Sequence, residues 1–171
     1  DIVGIHDTGN FKIGDTLTEG EDLNFRGIPS FSPEHFRYVN NADPMKSKQL
    51  YKGLDQLMDE GVAQLFILEM NGRRVIGTVG ALQFEVIQYR LEHEYGAKCT
   101  YENLSVHKAC WVEPTDKKND EFKEFKRVKQ RYLAKDKQGQ LVFLADSAFT
   151  IQMTQSKYPS VKLHFTSEFK K

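Results

Sequence analysis

Residues 75–91, VIGTVGALQFEVIQYRL, constrain the fold more than any other part of this chain. A β-rich run (Val75, Ile76, Thr78, Val79) ends at Gly80, and a helical pattern starts at once. A glycine at that junction lets strand and helix meet with little side-chain bulk between them. On a 3.6-residue wheel Leu82, Val86 and Tyr89 share one face, while Phe84, Ile87, Leu91 and Tyr95 share the opposite one. A surface helix needs a single apolar stripe. Two stripes predict burial on both sides, with a sheet beneath the helix and a second layer above it.

The flanking segments supply the sheet. Phe36, Tyr38 and Val39 read as a first strand. Asp43-Pro44 is a helix start, an N-cap acceptor followed by proline at the first helical position. Leu50, Leu54, Leu57 and Met58 make its apolar stripe, and Gly61 ends it. VAQLFILEM at 62–70 is a strand that turns at Asn71-Gly72 and returns through Val75. After the central helix, residues 99–113 read as one long strand, with Leu104, Val106, Cys110 and Val112 on one face and Tyr101 and Trp111 on the other. The resulting order over residues 36–112 is β-α-β-β-α-β, the ferredoxin-like plan of an antiparallel sheet with two helices on one face.

A second α-β unit follows without a linker. A helix is predicted over 116–128, a hairpin over 132–145 around the turn Asp136-Lys137-Gln138-Gly139, a helix over 147–158, and a half-buried strand through Val161, Leu163 and Phe165. This C-terminal extension is expected to pack on the ferredoxin-like unit and to be the layer over the second stripe of the central helix. Upstream, residues 1–17 read as the end of a β-domain or as an N-terminal hairpin, and Glu19-Gly20-Glu21-Asp22 as a polar break. FRGIPSFSPEHF at 25–36 has two prolines and three phenylalanines, so it is expected to lie extended across an apolar surface. The first residue is Asp1, inside strand-like sequence, so the chain is expected to be a segment of a longer protein.

Two motifs carry a family resemblance. Gly80-Ala81-Leu82-Gln83-Phe84-Glu85-Val86 resembles the strand–helix junction in the third domain of ribosomal translation factors. With FRGIPSFSPEHF upstream, the chain from about Ile2 to Phe165 resembles the C-terminal part of the bacterial peptide chain release factor 3 family of translational GTPases. The resemblance implies an α+β fold in three parts: residues 1–24 as the tail of a preceding β-barrel domain, 25–113 as a ferredoxin-like domain, and 114–171 as the extension. It further implies a cytoplasmic protein whose partners are the ribosome, the decoding release factors on it and its own upstream domains. GTP or GDP with magnesium would bind the N-terminal GTPase domain, upstream of this region, and no cofactor is expected within it. The third domain of elongation factor G is the nearest alternative; a free-standing ferredoxin-like RNA-binding module or a small enzyme of that fold are others.

Composition and motifs narrow the chemistry. Twenty-four basic residues balance twenty-four acidic ones, so any electrostatic footprint must be local. No run approaches the roughly 18 apolar residues of a membrane span. Cys99 and Cys110 read as reduced thiols, and His6, His35, His93, His107 and His164 show no metal-ligand spacing. There is no G-x-x-x-x-G-K-[ST] phosphate loop and no catalytic constellation. The one charge cluster is residues 117–137, where nine Lys or Arg face Asp120, Glu121, Glu124 and Asp136. Lys117, Lys118, Lys123, Lys126 and Arg127 are therefore candidate ribosome or RNA contacts, with Arg73 and Arg74 beside the Asn71-Gly72 turn as a second pair. The competing reading is a solvated helix face and ordinary protection of a sheet edge.

Overall fold

Alternation of side chains along the strands distributes the apolar residues among three cores, and this determines the architecture. The structure, a computed structural model, describes residues 32–113 and 119–167, together with residues 4, 6, 19 and 20. The elements are β1 (His35–Asn41), α1 (Ser47–Asp59), β2 (Gln64–Leu68), β3 (Arg74–Thr78), α2 (Gln83–Tyr95) and β4 (Cys99–Asn103). They continue as β5 (Lys108–Val112), α3 (Asp120–Val128), β6 (Leu133–Asp136), β7 (Leu141–Ala145), α4 (Ala148–Lys157) and β8 (Leu163–His164). All eight strands join one antiparallel sheet in the order β4-β1-β3-β2-β6-β7-β5-β8.

That sheet is folded over on itself. Six strand spacings separate β4 from β5, about 29 Å in a flat sheet. The connection from Asn103 to Lys108 reaches at most about 18 Å, so the two halves must face each other. Their inner faces share a core in which Phe36, Phe66, Leu68 and Val75 meet Ala109, Trp111, Ala134, Val142 and Leu144. The Phe66 and Trp111 rings lie 6.0 Å apart there. On the outer face of β4-β1-β3-β2, α1 and α2 bury Leu50, Leu54, Leu57, Phe84, Ile87 and Leu91 against Val39, Leu65 and Ile76. On the outer face of β6-β7-β5-β8, Phe125 of α3 and Ile151 of α4 pack with Tyr158 on Cys110, Leu133 and Phe143.

Caps and close approaches fix the helices. Asp43 accepts from the Met45 N–H and Pro44 opens a short 3-10 turn into α1, as the sequence predicts. Asn119 caps α3 and Ser147 caps α4. A Cβ on Gly53 would fall 2.7 Å from Leu91, so the missing side chain lets α1 and α2 touch. A Cβ on Gly77 would fall 2.8 Å from Pro33. At Gly80 it would meet only open space, so the steric need for glycine lies at Gly77 and not at the junction itself.

Three expectations are corrected. The second stripe of α2 is not covered: Leu82 is 73% exposed, Val86 48% and Tyr89 63%. The C-terminal unit pairs β6 with the edge of β2 and closes over the sheet face opposite α2, where Phe36, Phe66 and Val75 needed cover. The long strand over 99–113 is two strands. Its chain breaks at Leu104–His107, where the Val106 N–H donates to the Leu104 carbonyl (3.0 Å) and both side chains pack on the inner core. β4 then pairs with β1, whereas β5 lies between β7 and β8 on the other half. The final strand shrinks to Leu163–His164, and Phe165 is exposed. The expectations for the β-barrel remnant, for the extended segment before residue 32 and for the start of the helix from 116 rest on residues 1–3, 5, 7–18, 21–31 and 114–118, which lie outside the described residues.

Candidate nucleic-acid interface

The β2–β6 pairing, Phe66 opposite Asp136 and Leu68 opposite Ala134, is the seam between the two halves of the sheet. α3 runs past it on the outside, because Phe125 anchors that helix to Phe143 of β7 (ring centroids 5.7 Å apart). The surface left between them is a groove of about 820 Å³. Lys126 and Arg127 of α3, Lys135 and Lys137 of the β6 hairpin, Gly72 of the β2–β3 turn and the side chain of Ile67 line it. Ile67 is solvent-exposed although it lies within β2.

The cations in and around the groove are not equivalent. Lys137 bonds Asp59 (2.7 Å) and the Asp55 carbonyl (2.8 Å), tying the β6–β7 turn to α1. Lys135 lies 3.8 Å from Glu69. Lys126 has its ammonium 6.0 Å from the Phe122 ring and, like Arg127, makes no ion pair among the described residues. The acidic residue nearest the floor, Asp136, is committed inward: its carboxylate accepts from Trp111 Nε1 (2.9 Å) and from the Gln140 N–H (2.8 Å). Lys126 and Arg127 are therefore the two groove cations without a carboxylate partner among the described residues, and Asp136, whose donors are both neutral, offsets one of their charges.

The remaining sequence candidates sit elsewhere. Lys123 pairs with Asp120 at 3.1 Å, one helical turn away on α3. Lys117 and Lys118 lie outside the described residues. Arg73 is stacked on Tyr38 (3.6 Å to the centroid) and donates to Glu102 and to Asn40. The hydrogen bond from Arg73 holds the Glu102 carboxyl below its usual range. Arg74 lies flat on Tyr51, also at 3.6 Å. Both guanidiniums thus cover aromatic rings, Tyr38 of β1 and Tyr51 of α1, and neither lines the groove. Ile67, Gly72 and Gln130 were not singled out by the sequence. Ile67 and Gly72 join the site only through the β2–β6 pairing, which links positions some seventy residues apart and leaves no local signal, whereas Gln130 follows α3 directly.

Among the described residues no group of three or more His, Cys, Asp and Glu side chains could hold a metal ion. The sequence contains no G-x-x-x-x-G-K-[ST] phosphate-loop string. Burial raises the Cys99 thiol and pushes the Cys110 thiol up to about 12, which makes neither a nucleophile near neutral pH. No helix among the described residues is long and apolar enough to cross a membrane.

Residues 25–155 match the family described as class II release factor RF3, C-terminal domain. The match runs from upstream of β1 into α4, so every strand except β8, and the whole seam, falls within it. The chain belongs to the class II release factor RF3 C-terminal domain family.

Proposed function

We propose that this chain is the ribosome-facing, non-catalytic part of a translational GTPase of the release factor 3 type, which promotes dissociation of decoding release factors from the ribosome during termination. The observation that carries the reading is the family match over residues 25–155. In this reading the β-α-β-β-α-β half, with strands in the order β4-β1-β3-β2, is a ferredoxin-like unit, and β5 to β8 with α3 and α4 are its C-terminal extension. Residues 1–24 are the tail of a preceding β-barrel domain. GTP and magnesium belong to a separate domain upstream, the protein works in the cytoplasm, and the ribosome and the factor's own upstream domains are its direct partners.

The test follows a fluorescent decoding release factor on ribosomes that have released their peptide. The full-length protein carrying this chain, with GTP, should speed its departure severalfold. No acceleration, or no ribosome binding at low salt, overturns the reading. For the chain alone, calorimetry with magnesium and GTP should show no saturable binding in the micromolar range.

A further inference from the structure

We propose that the groove at the β2–β6 seam is an RNA-backbone site, in which Lys126 and Arg127 take phosphate oxygens. The inference rests on the ribosome-facing reading above and names the surface and the ligand chemistry that serve it. Three observations converge. Two of the four cations that line the groove have no carboxylate partner: Lys135 and Lys137 are paired with Glu69 and Asp59, whereas Lys126 and Arg127 make no ion pair among the described residues. The opening is wide, and the turn glycines Gly72 and Gly139 at its rim carry no side chain to obstruct a backbone. Finally, no residue lining the groove is aromatic.

The missing rings decide the class of ligand. Single-strand sites hold bases on aromatic faces, and each stacked base supplies much of the affinity. Without such a platform, recognition falls to phosphate and ribose, which position a nucleic acid without reading its sequence. An acidic protein segment would meet the same two charges. A protein partner, however, draws its affinity from buried aromatic or aliphatic anchors, and this groove offers only Ile67 as an exposed apolar contact. A polyphosphate backbone needs no such anchor, because released counterions drive its binding.

The experiment measures ribosome binding by the full-length protein as salt is varied. Each phosphate contact contributes about 0.7–0.9 to the slope of log K against log salt. Lys126→Glu with Arg127→Glu should therefore flatten the slope by roughly 1.4–1.8 and weaken binding at low salt. Unfolding midpoints should stay the same, since both side chains are exposed. Reversal of Lys46, Lys48 and Lys52 on the α1 side should leave the slope nearly intact. In parallel, this chain is titrated with a 20-base-pair RNA duplex of arbitrary sequence, with a polyglutamate competitor. Salt-sensitive duplex binding that the double variant loses, and that polyglutamate displaces poorly, supports the site even if the ribosome reading fails. An unchanged slope in the double variant overturns the groove while leaving that reading intact. Equal losses in the α1 control, or displacement by polyglutamate as effective as by RNA, also overturn it.

Discussion

Trp111 donates its indole N–H to Asp136 at 2.9 Å, reaching from β5 over β7 to β6 within one half of the sheet. The same carboxylate accepts from the Gln140 N–H that closes the β6–β7 turn. One buried acid thus ties β5, β6 and the turn together, and the donors it serves have no other partner among the described residues. Asp136→Ala should cost about 1–3 kcal/mol for each donor left unpaired in the interior. Trp111 is the only tryptophan. Its emission should shift and become more readily quenched in the variant, alongside a lower urea midpoint. A midpoint within error of the parent would show that the bond contributes nothing.

The exposed stripe on α2 makes a paired test. Phe84 is fully buried and its ring meets Tyr101 edge-on, 5.3 Å between centroids. Phe84→Ala should cost about 3–5 kcal/mol. Leu82→Ala should stay within about 0.5 kcal/mol, as for a surface substitution. Chemical denaturation of both variants checks the pair, and comparable losses would mean that Leu82 is covered after all.

Gly77→Ala should destabilise by about 1–3 kcal/mol, because the added methyl meets Pro33 and the Phe66 ring within a packed interior. Gly80→Ala meets nothing and should be close to neutral. Thermal unfolding of the two variants in one buffer separates them.

The thiols should be silent in the native protein. Burial raises both, Cys110 to about 12, so the thiolate fraction at pH 8 is on the order of 10⁻⁴ for that group. A colorimetric disulfide reagent at pH 8 should titrate neither cysteine until denaturant is added. Rapid modification of the folded chain would contradict the burial of β4 and β5.

Local pattern carried much of the fold to the eye. Asp43-Pro44, Asn71-Gly72 and the β6–β7 turn are read from their own residues, because caps and tight turns are decided over four or five positions. What stayed hidden was nonlocal. Alternation in VAQLFILEM shows that β2 has two faces, but not that one packs on α1 and the other on Trp111. The break at Leu104–His107 is invisible because Leu104 and Val106 keep the apolar alternation through the turn. The two stripes of α2 mislead for a related reason: exposed and buried apolar residues look alike until the competing surface is known. At the candidate site, the excess of Lys and Arg over 117–137 was legible. Which of them are already satisfied was not, since Asp59 and Glu69 reach that segment only through the fold.

The continuous hydrogen-bonded seam from β2 to β6 has a mechanical consequence. Two lobes joined by a loop swing about it, and a load applied to one is lost in the joint. Here the ladder crosses from one lobe to the other, and Lys137 braces it from the side against Asp59. A push on α3 would reach α1 as a turn of the whole body, as a wrench carries torque from handle to jaw.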